Sequence, residues 1–183
     1  MWAARLRAVA AFSGFAALTA SGCSDPAKAT PQAAFSATFY GANCAAVVDP
    51  GPTIGIGTAS ATQQATIADG TDGTRVNCST VAIANGYATR VEITRGTTSM
   101  TFDSDVVQGK TTEARTITLR GPNTAGSKYV PSVGFPCTVT WVNGAAGRIW
   151  AGFTCPKMDG PSGLNPSVCG ISDGWVIAEN CDQ

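Results

Sequence analysis

The chain has 183 residues, with 12 basic and 12 acidic side chains, seven cysteines and no histidine. Without histidine it has no Ser-His-Asp or Cys-His catalytic system, and it lacks the commonest ligand of zinc and iron sites. It also contains no P-loop, no complete dinucleotide-binding glycine motif and no basic cluster able to neutralise phosphates. We therefore predict no cofactor, no metal and no nucleic-acid partner.

The N-terminus has the pattern of an export signal. Arg5 and Arg7 precede an uncharged apolar run, Ala8 to Leu18. As a helix this run is about 16 Å long, whereas the hydrocarbon core of a bilayer measures about 30 Å. The run is too short to span a membrane and is typical of a signal peptide.

Residues 18–23 read Leu-Thr-Ala-Ser-Gly-Cys, which resembles the lipobox of bacterial lipoproteins. The resemblance implies cleavage between Gly22 and Cys23, removal of residues 1–22, and attachment of two or three acyl chains, palmitate among them, to Cys23. Several acyl chains hold a protein stably on a membrane. The alternative is an ordinary secretory signal peptide with a cysteine near its end, and either signal exports the mature chain.

The residue after the lipidated cysteine influences sorting in Gram-negative lipoproteins, where Asp commonly signals retention in the inner membrane. Ser24 stands at this position. The resemblance therefore implies a cell-envelope protein that is anchored in the outer membrane.

Residues 23–32 have the composition of a tether, because residues 24–32 contain two prolines, small polar side chains and no hydrophobic periodicity. We assign residues 33–183 to a single domain. Loss of Arg5 and Arg7 with the signal would leave 10 basic and 12 acidic side chains. This balance again argues against a nucleic-acid partner.

From residue 33 onward, apolar and polar side chains alternate with the period of β-strands. In the first such segment Phe35, Ala37 and Phe39 share one face. Val, Ile, Thr and aromatic residues dominate the others, and Gly, Asn and Asp separate them. The predicted strands are 33–40, 53–58, 65–68, 75–83, 87–94, 99–103, 115–120, 137–142, 148–155 and 173–180.

Two hairpins are predicted within this series. Asn85-Gly86, the strongest short-range hairpin signal, joins 75–83 to 87–94. Residues 143–147 join 137–142 to 148–155, and pairing residues whose numbers sum to 292 brings the apolar faces of the two strands together. That register places Val139 opposite Phe153 and Cys137 opposite Cys155.

This number of short strands at regular spacing predicts an all-β fold, specifically an antiparallel, disulfide-stapled β-sandwich of immunoglobulin-like kind. A closed β-barrel is the alternative.

Six cysteines remain once Cys23 is set aside, and an even number in an exported chain favours three disulfides with fifteen possible pairings. Local geometry favours Cys155 with Cys169 and Cys44 with Cys78, which leaves Cys137 with Cys181. The cross-strand pair Cys137 with Cys155 competes with this set. The predicted disulfide cysteines are Cys44, Cys78, Cys137, Cys155, Cys169 and Cys181.

Two acidic segments could in principle bind calcium or hydrolyse glycosides. They are Asp103-Ser104-Asp105, with Glu113 as a third carboxylate, and the segment 69–73. Both segments have the composition of β-turns, in which Asp and Gly satisfy the backbone geometry. We therefore interpret both as solvent-exposed turns.

Trp150 breaks the pattern of its strand. If Trp141 and Phe153 point inward, alternation forces Trp150 outward with Arg148 and Thr154. An outward aromatic can stack on a sugar ring or anchor a protein partner, so Trp150 is the candidate ligand contact. The alternative is that a loop covers this face.

These observations favour a non-enzymatic, membrane-anchored lipoprotein with an interaction or structural role at the cell envelope. Its partners would be the membrane, through acyl chains on Cys23, and an unidentified protein or glycan. A carbohydrate-binding or adhesive β-sandwich is the second hypothesis, and an enzyme that works without histidine is the third.

Overall fold

A computed structural model describes residues 28–41, 54–56, 66–121, 128–160 and 169–183. Within these ranges the chain is all-β, as predicted, and has no helix long and apolar enough to cross a membrane. Residues 1–27, with the predicted signal, Cys23 and half of the tether, lie outside the described residues, as does Cys44. The strands are β1 Gln32–Tyr40, β2 Ile54–Ile56, β3 Ile67–Ala68, β4 Thr74–Ile83, β5 Gly86–Arg95, β6 Thr98–Val107, β7 Thr111–Glu113, β8 Thr116–Arg120, β9 Val130–Pro131, β10 Thr138–Ala145, β11 Arg148–Asp159 and β12 Cys169–Glu179.

The strands form two sheets. The larger has the order β2-β1-β12-β11-β10-β7, with β3 beside β1 and β9 beside β11, and the smaller has the order β4-β5-β6-β8. The strand pairings are antiparallel except that of β2, which runs parallel to β1. Neither sheet closes on itself within the described residues, so the closed-barrel alternative is wrong. The arrangement is sandwich-like, and its immunoglobulin-like character stays a prediction.

The core lies between the two sheets, because both contribute their inward side chains to one apolar cluster. Phe102 of β6 and Phe153 of β11 meet across it, with ring centroids 6.4 Å apart. The smaller sheet adds Val91 and Ile93 from β5. Alternation along each strand, which buries one face and leaves the other outside, therefore produces the two-layer structure.

The β10–β11 hairpin has the predicted register. Val139 pairs with Phe153 and Trp141 with Ala151. The register shifts between Trp141 and Asn143, and the strands continue to Ala145 and Arg148. The predicted turn at 143–147 is therefore too long: part of it extends the hairpin after a β-bulge.

The β4–β5 hairpin also forms, with Ile83 paired to Gly86. Its turn residues are Ala84 and Asn85, one position earlier than the predicted Asn85-Gly86, and Asn85 has a left-handed φ of 58°. Gly86 is already part of β5, where a Cβ would overlap the backbone carbonyl of Val106. The glycine is needed for close strand packing and not for the turn.

Two disulfides are described. Cys78 pairs with Cys181 across 103 residues, and Cys137 pairs with Cys155 across 18. The second is the predicted cross-strand competitor. The favoured pairings of Cys155 with Cys169, Cys44 with Cys78, and Cys137 with Cys181 are wrong, because four of these cysteines pair otherwise. Cys169 is also disulfide-bonded.

Candidate functional site

A groove of about 230 Å³ lies on the outer face of the larger sheet, where β10, β11 and β12 run side by side. Two tryptophans, two glycines and three smaller side chains line it. They are Thr140, Val142, Trp150, Gly152, Asp173, Gly174 and Trp175.

Gly152 forms the floor of this groove. It pairs with Thr140 on one side and with Trp175 on the other. Any side chain here would lie on the outer face, and its Cβ would stand 2.8 Å from the Thr140 hydroxyl. The missing side chain therefore leaves space between the indoles of Trp150 and Trp175, which are diagonal neighbours on adjacent strands.

The two indoles differ in exposure. Trp150 is half-buried, whereas Trp175 is only 6 % exposed and belongs to an apolar cluster with Ala34 and Ile177. Trp150 packs against this cluster. Trp150 thus lies on the outer face, as the alternation predicts, with part of its ring accessible.

The indole nitrogen of Trp175 is buried and has no hydrogen-bond partner in the described part of the chain. A buried donor without an acceptor costs about 1–3 kcal/mol. This nitrogen is enclosed by the protein and is not itself offered to a ligand in the groove.

The rim of the groove is polar. Thr140 and Asp173 are exposed and supply a hydroxyl and a carboxylate at two of its sides. Apolar walls with a few convergent polar groups are typical of small-molecule sites.

Sequence reasoning missed Trp175. Trp175 and Ile177 are two residues apart and therefore lie on the same face of β12. The sequence of this strand does not say whether that face points to the core or to the outside. The pairing of Trp150 with Ile177 places Trp175 and Ile177 on the outer face, while Val176 and Ala178 are in the core. Only the register between β11 and β12 contains this information.

A larger cleft of about 560 Å³ lies where the tether reaches the domain. Its charged side chains are already paired: Lys28 with Asp182, and Arg148 with Glu179, whose atoms are 2.9 Å apart. Asn180 also donates to the carbonyl of Thr30 at 3.0 Å. These contacts join the tether to the C-terminal residues. They leave few unpaired charged groups in this cleft to bind a ligand.

Asp103 and Asp105 lie in strand β6, so the prediction of a turn at these residues is wrong. Arg115 bonds to both carboxylates, through Nε to Asp103 at 2.6 Å and through Nη1 to Asp105 at 2.7 Å. The hydrogen bonds to Asp105 and Asp103 raise the pKa of Arg115 above its usual value. One guanidinium thus bridges the two carboxylates and balances one of their two negative charges.

The acidic segment 69–73 contains a short 3-10 turn, Thr71–Gly73. Asp69 accepts a hydrogen bond from the Val76 amide at 2.8 Å, and Asp72 faces Arg95. Among the described residues, no group of three or more Cys, Asp or Glu side chains is placed to hold a metal ion.

Comparisons with protein-family models, with curated proteins and with solved structures found no match to this chain.

Proposed function

We propose that this chain is a lipoprotein of the bacterial cell envelope, held in the outer membrane by acyl chains on Cys23, and that its domain is a non-enzymatic binding module. The lipobox-like residues 18–23 support the anchor. The disulfides Cys78–Cys181 and Cys137–Cys155 support export to an oxidising compartment.

The ligand that the groove suits best is a carbohydrate, and the observation that carries this proposal is the pair of tryptophans around Gly152. Trp150 offers an indole surface on which the C–H face of a sugar ring can stack. The Thr140 hydroxyl and the Asp173 carboxylate at the rim match sugar hydroxyls. The groove is smaller than the roughly 300–1,000 Å³ of drug-sized pockets, which favours one sugar ring over a long chain.

The anchor predicts that Cys23→Ala abolishes incorporation of radiolabelled palmitate. The thiol is the attachment point, so no other side chain replaces it. Ser24→Ala is the matched control, because it changes the neighbouring residue and leaves the thiol in place. Label in Cys23→Ala equal to that in the unsubstituted chain would contradict the anchor.

The groove predicts that Trp150→Ala weakens glycan binding about 10- to 100-fold, which corresponds to about 1.4–2.7 kcal/mol. The glycan is first selected on an array, and its affinity is then measured by calorimetry. Gly152→Val should weaken binding similarly, because its side chain fills the groove. Phe135→Ala is the control, since Phe135 is an exposed aromatic outside the groove. Equal affinities of Trp150→Ala and Phe135→Ala would reject the groove as the site.

A further inference from the structure

The tip of the β4–β5 hairpin exposes an apolar run. Residues 81–84 read Val-Ala-Ile-Ala, and all four are exposed, Val81 by 54 % and Ile83 by 38 %. β4 is also an edge strand of the smaller sheet. Consecutive exposed apolar residues on an edge strand promote association unless they have a binding role.

We propose that this tip, residues 81–84, contacts the lipid surface in which Cys23 is anchored, so that the domain rests on the membrane in one orientation. The proposal rests on the lipid anchor proposed above and is independent of the tryptophan groove.

The tip lies beside the point where the tether meets the domain. Lys28 forms an ion pair with Asp182, and the carbonyl of Asp182 accepts a hydrogen bond from the Thr80 amide at 2.7 Å. The Thr80 hydroxyl accepts a second bond from the Gly147 amide at 2.9 Å. Val81, the first residue of the tip, follows Thr80 directly.

The lengths of chain allow the contact. Lys28 is five residues after Cys23, so at most about 18 Å of extended chain separates it from the acyl chains. Ile83 is three residues beyond Thr80, about 10 Å along the strand. A short tether keeps the tip at high effective concentration near the bilayer.

An exposed cation also lies near the tip. Lys110 lies in the turn after β6, which is joined to the tip by a hydrogen bond of 2.9 Å from the Gln108 amide to the Asn85 carbonyl. Lys110 is exposed and forms no ion pair among the described residues. An exposed cation is attracted to the surface of an anionic bilayer.

A second exposed apolar patch, formed by Val133 and Phe135, lies near the other end of β11. Ser132 donates to Asp159, the last residue of β11, at 2.6 Å, whereas Arg148 at the start of the strand contacts Glu179 in the tether cleft. Eleven residue steps separate Arg148 from Asp159, about 36 Å along the strand. Val133, which is 96 % exposed, therefore provides a matched control beyond the reach of the tether.

The test is amide hydrogen exchange on the full acylated chain in phosphatidylethanolamine and phosphatidylglycerol vesicles, compared with the unacylated Cys23→Ser chain in solution. If the tip lies on lipid about four-fifths of the time, exchange at residues 81–86 slows about fivefold on vesicles. Residues 132–135 should exchange equally in both samples. The double variant Val81→Asp with Ile83→Asp should lose the slowing, and Val133→Asp should keep it.

Equal exchange of the tip on vesicles and in solution overturns the proposal. Slowing that grows with the protein-to-lipid ratio also overturns it, because that dependence indicates pairing of two copies through the β4 edge. Failure of the anchor is a different result: the chain then does not sediment with the vesicles at all.

Discussion

Replacement of both Cys78 and Cys181 by alanine is expected to lower the free energy of unfolding by about 4–5 kcal/mol. The disulfide closes a loop of 103 residues, and in the loop-entropy description the stabilisation grows with the logarithm of loop length. The bond also joins β4 of the smaller sheet to the residues that follow β12 of the larger one. Urea unfolding followed by tryptophan fluorescence measures the loss.

The matched control is Cys137→Ala with Cys155→Ala, which removes a disulfide across only 18 residues. The same description gives about 3 kcal/mol for this bond, which joins neighbouring strands of one sheet. Both double variants remove two buried sulfur atoms and leave no unpaired thiol from the deleted bond. An equal or larger loss for Cys137 and Cys155 would show that loop length does not decide the order.

These two bonds also illustrate what can be predicted from sequence. Cys137 and Cys155 are brought opposite each other by a hairpin whose register follows from the apolar pattern of its own strands. Cys78 and Cys181 meet because two sheets pack together. That contact depends on the packing of the whole domain and cannot be predicted from the spacing of the cysteines along the chain.

The strand boundaries show a related limit. β6 runs to Val107 although its last residues include Asp103 and Asp105, which have the composition of a turn. Arg115 pairs with both carboxylates, and the inward side chains of this part of β6, Phe102 and Val106, are buried. Burial of one face thus outweighs the turn preference of the other, a tertiary effect that local propensity does not contain.

The groove could be predicted only in part. Alternation along one strand is enough to place Trp150 on the outer face. The depression beside it requires Gly152 and Trp175, which meet only once β11 and β12 are in register. The outward position of Trp150 is therefore predictable from its own strand. The groove around it depends on pairings between strands that are distant in sequence.

A second large loss of stability is expected from the packing between the two sheets. Phe102 and Phe153 are buried on facing sheets, and each substitution by alanine should lower the free energy of unfolding by about 3–5 kcal/mol. Neighbouring side chains cannot easily fill the space that the Phe153 ring would leave. Its cross-strand partner is Gly174, which has no side chain and against which the phenylalanine ring packs. Each alanine therefore leaves a cavity between the sheets.

A double-mutant cycle separates direct contact between the rings from simple burial. The double variant should lose about 0.5–1.5 kcal/mol less than the sum of the two single losses, because the contact is already absent in either single variant. Asn77→Ala, on the exposed face of β4, is the control and should change stability by less than about 0.5 kcal/mol. Strictly additive losses would mean that the rings stabilise the two sheets independently, and that their 6.4 Å approach contributes no energy of its own.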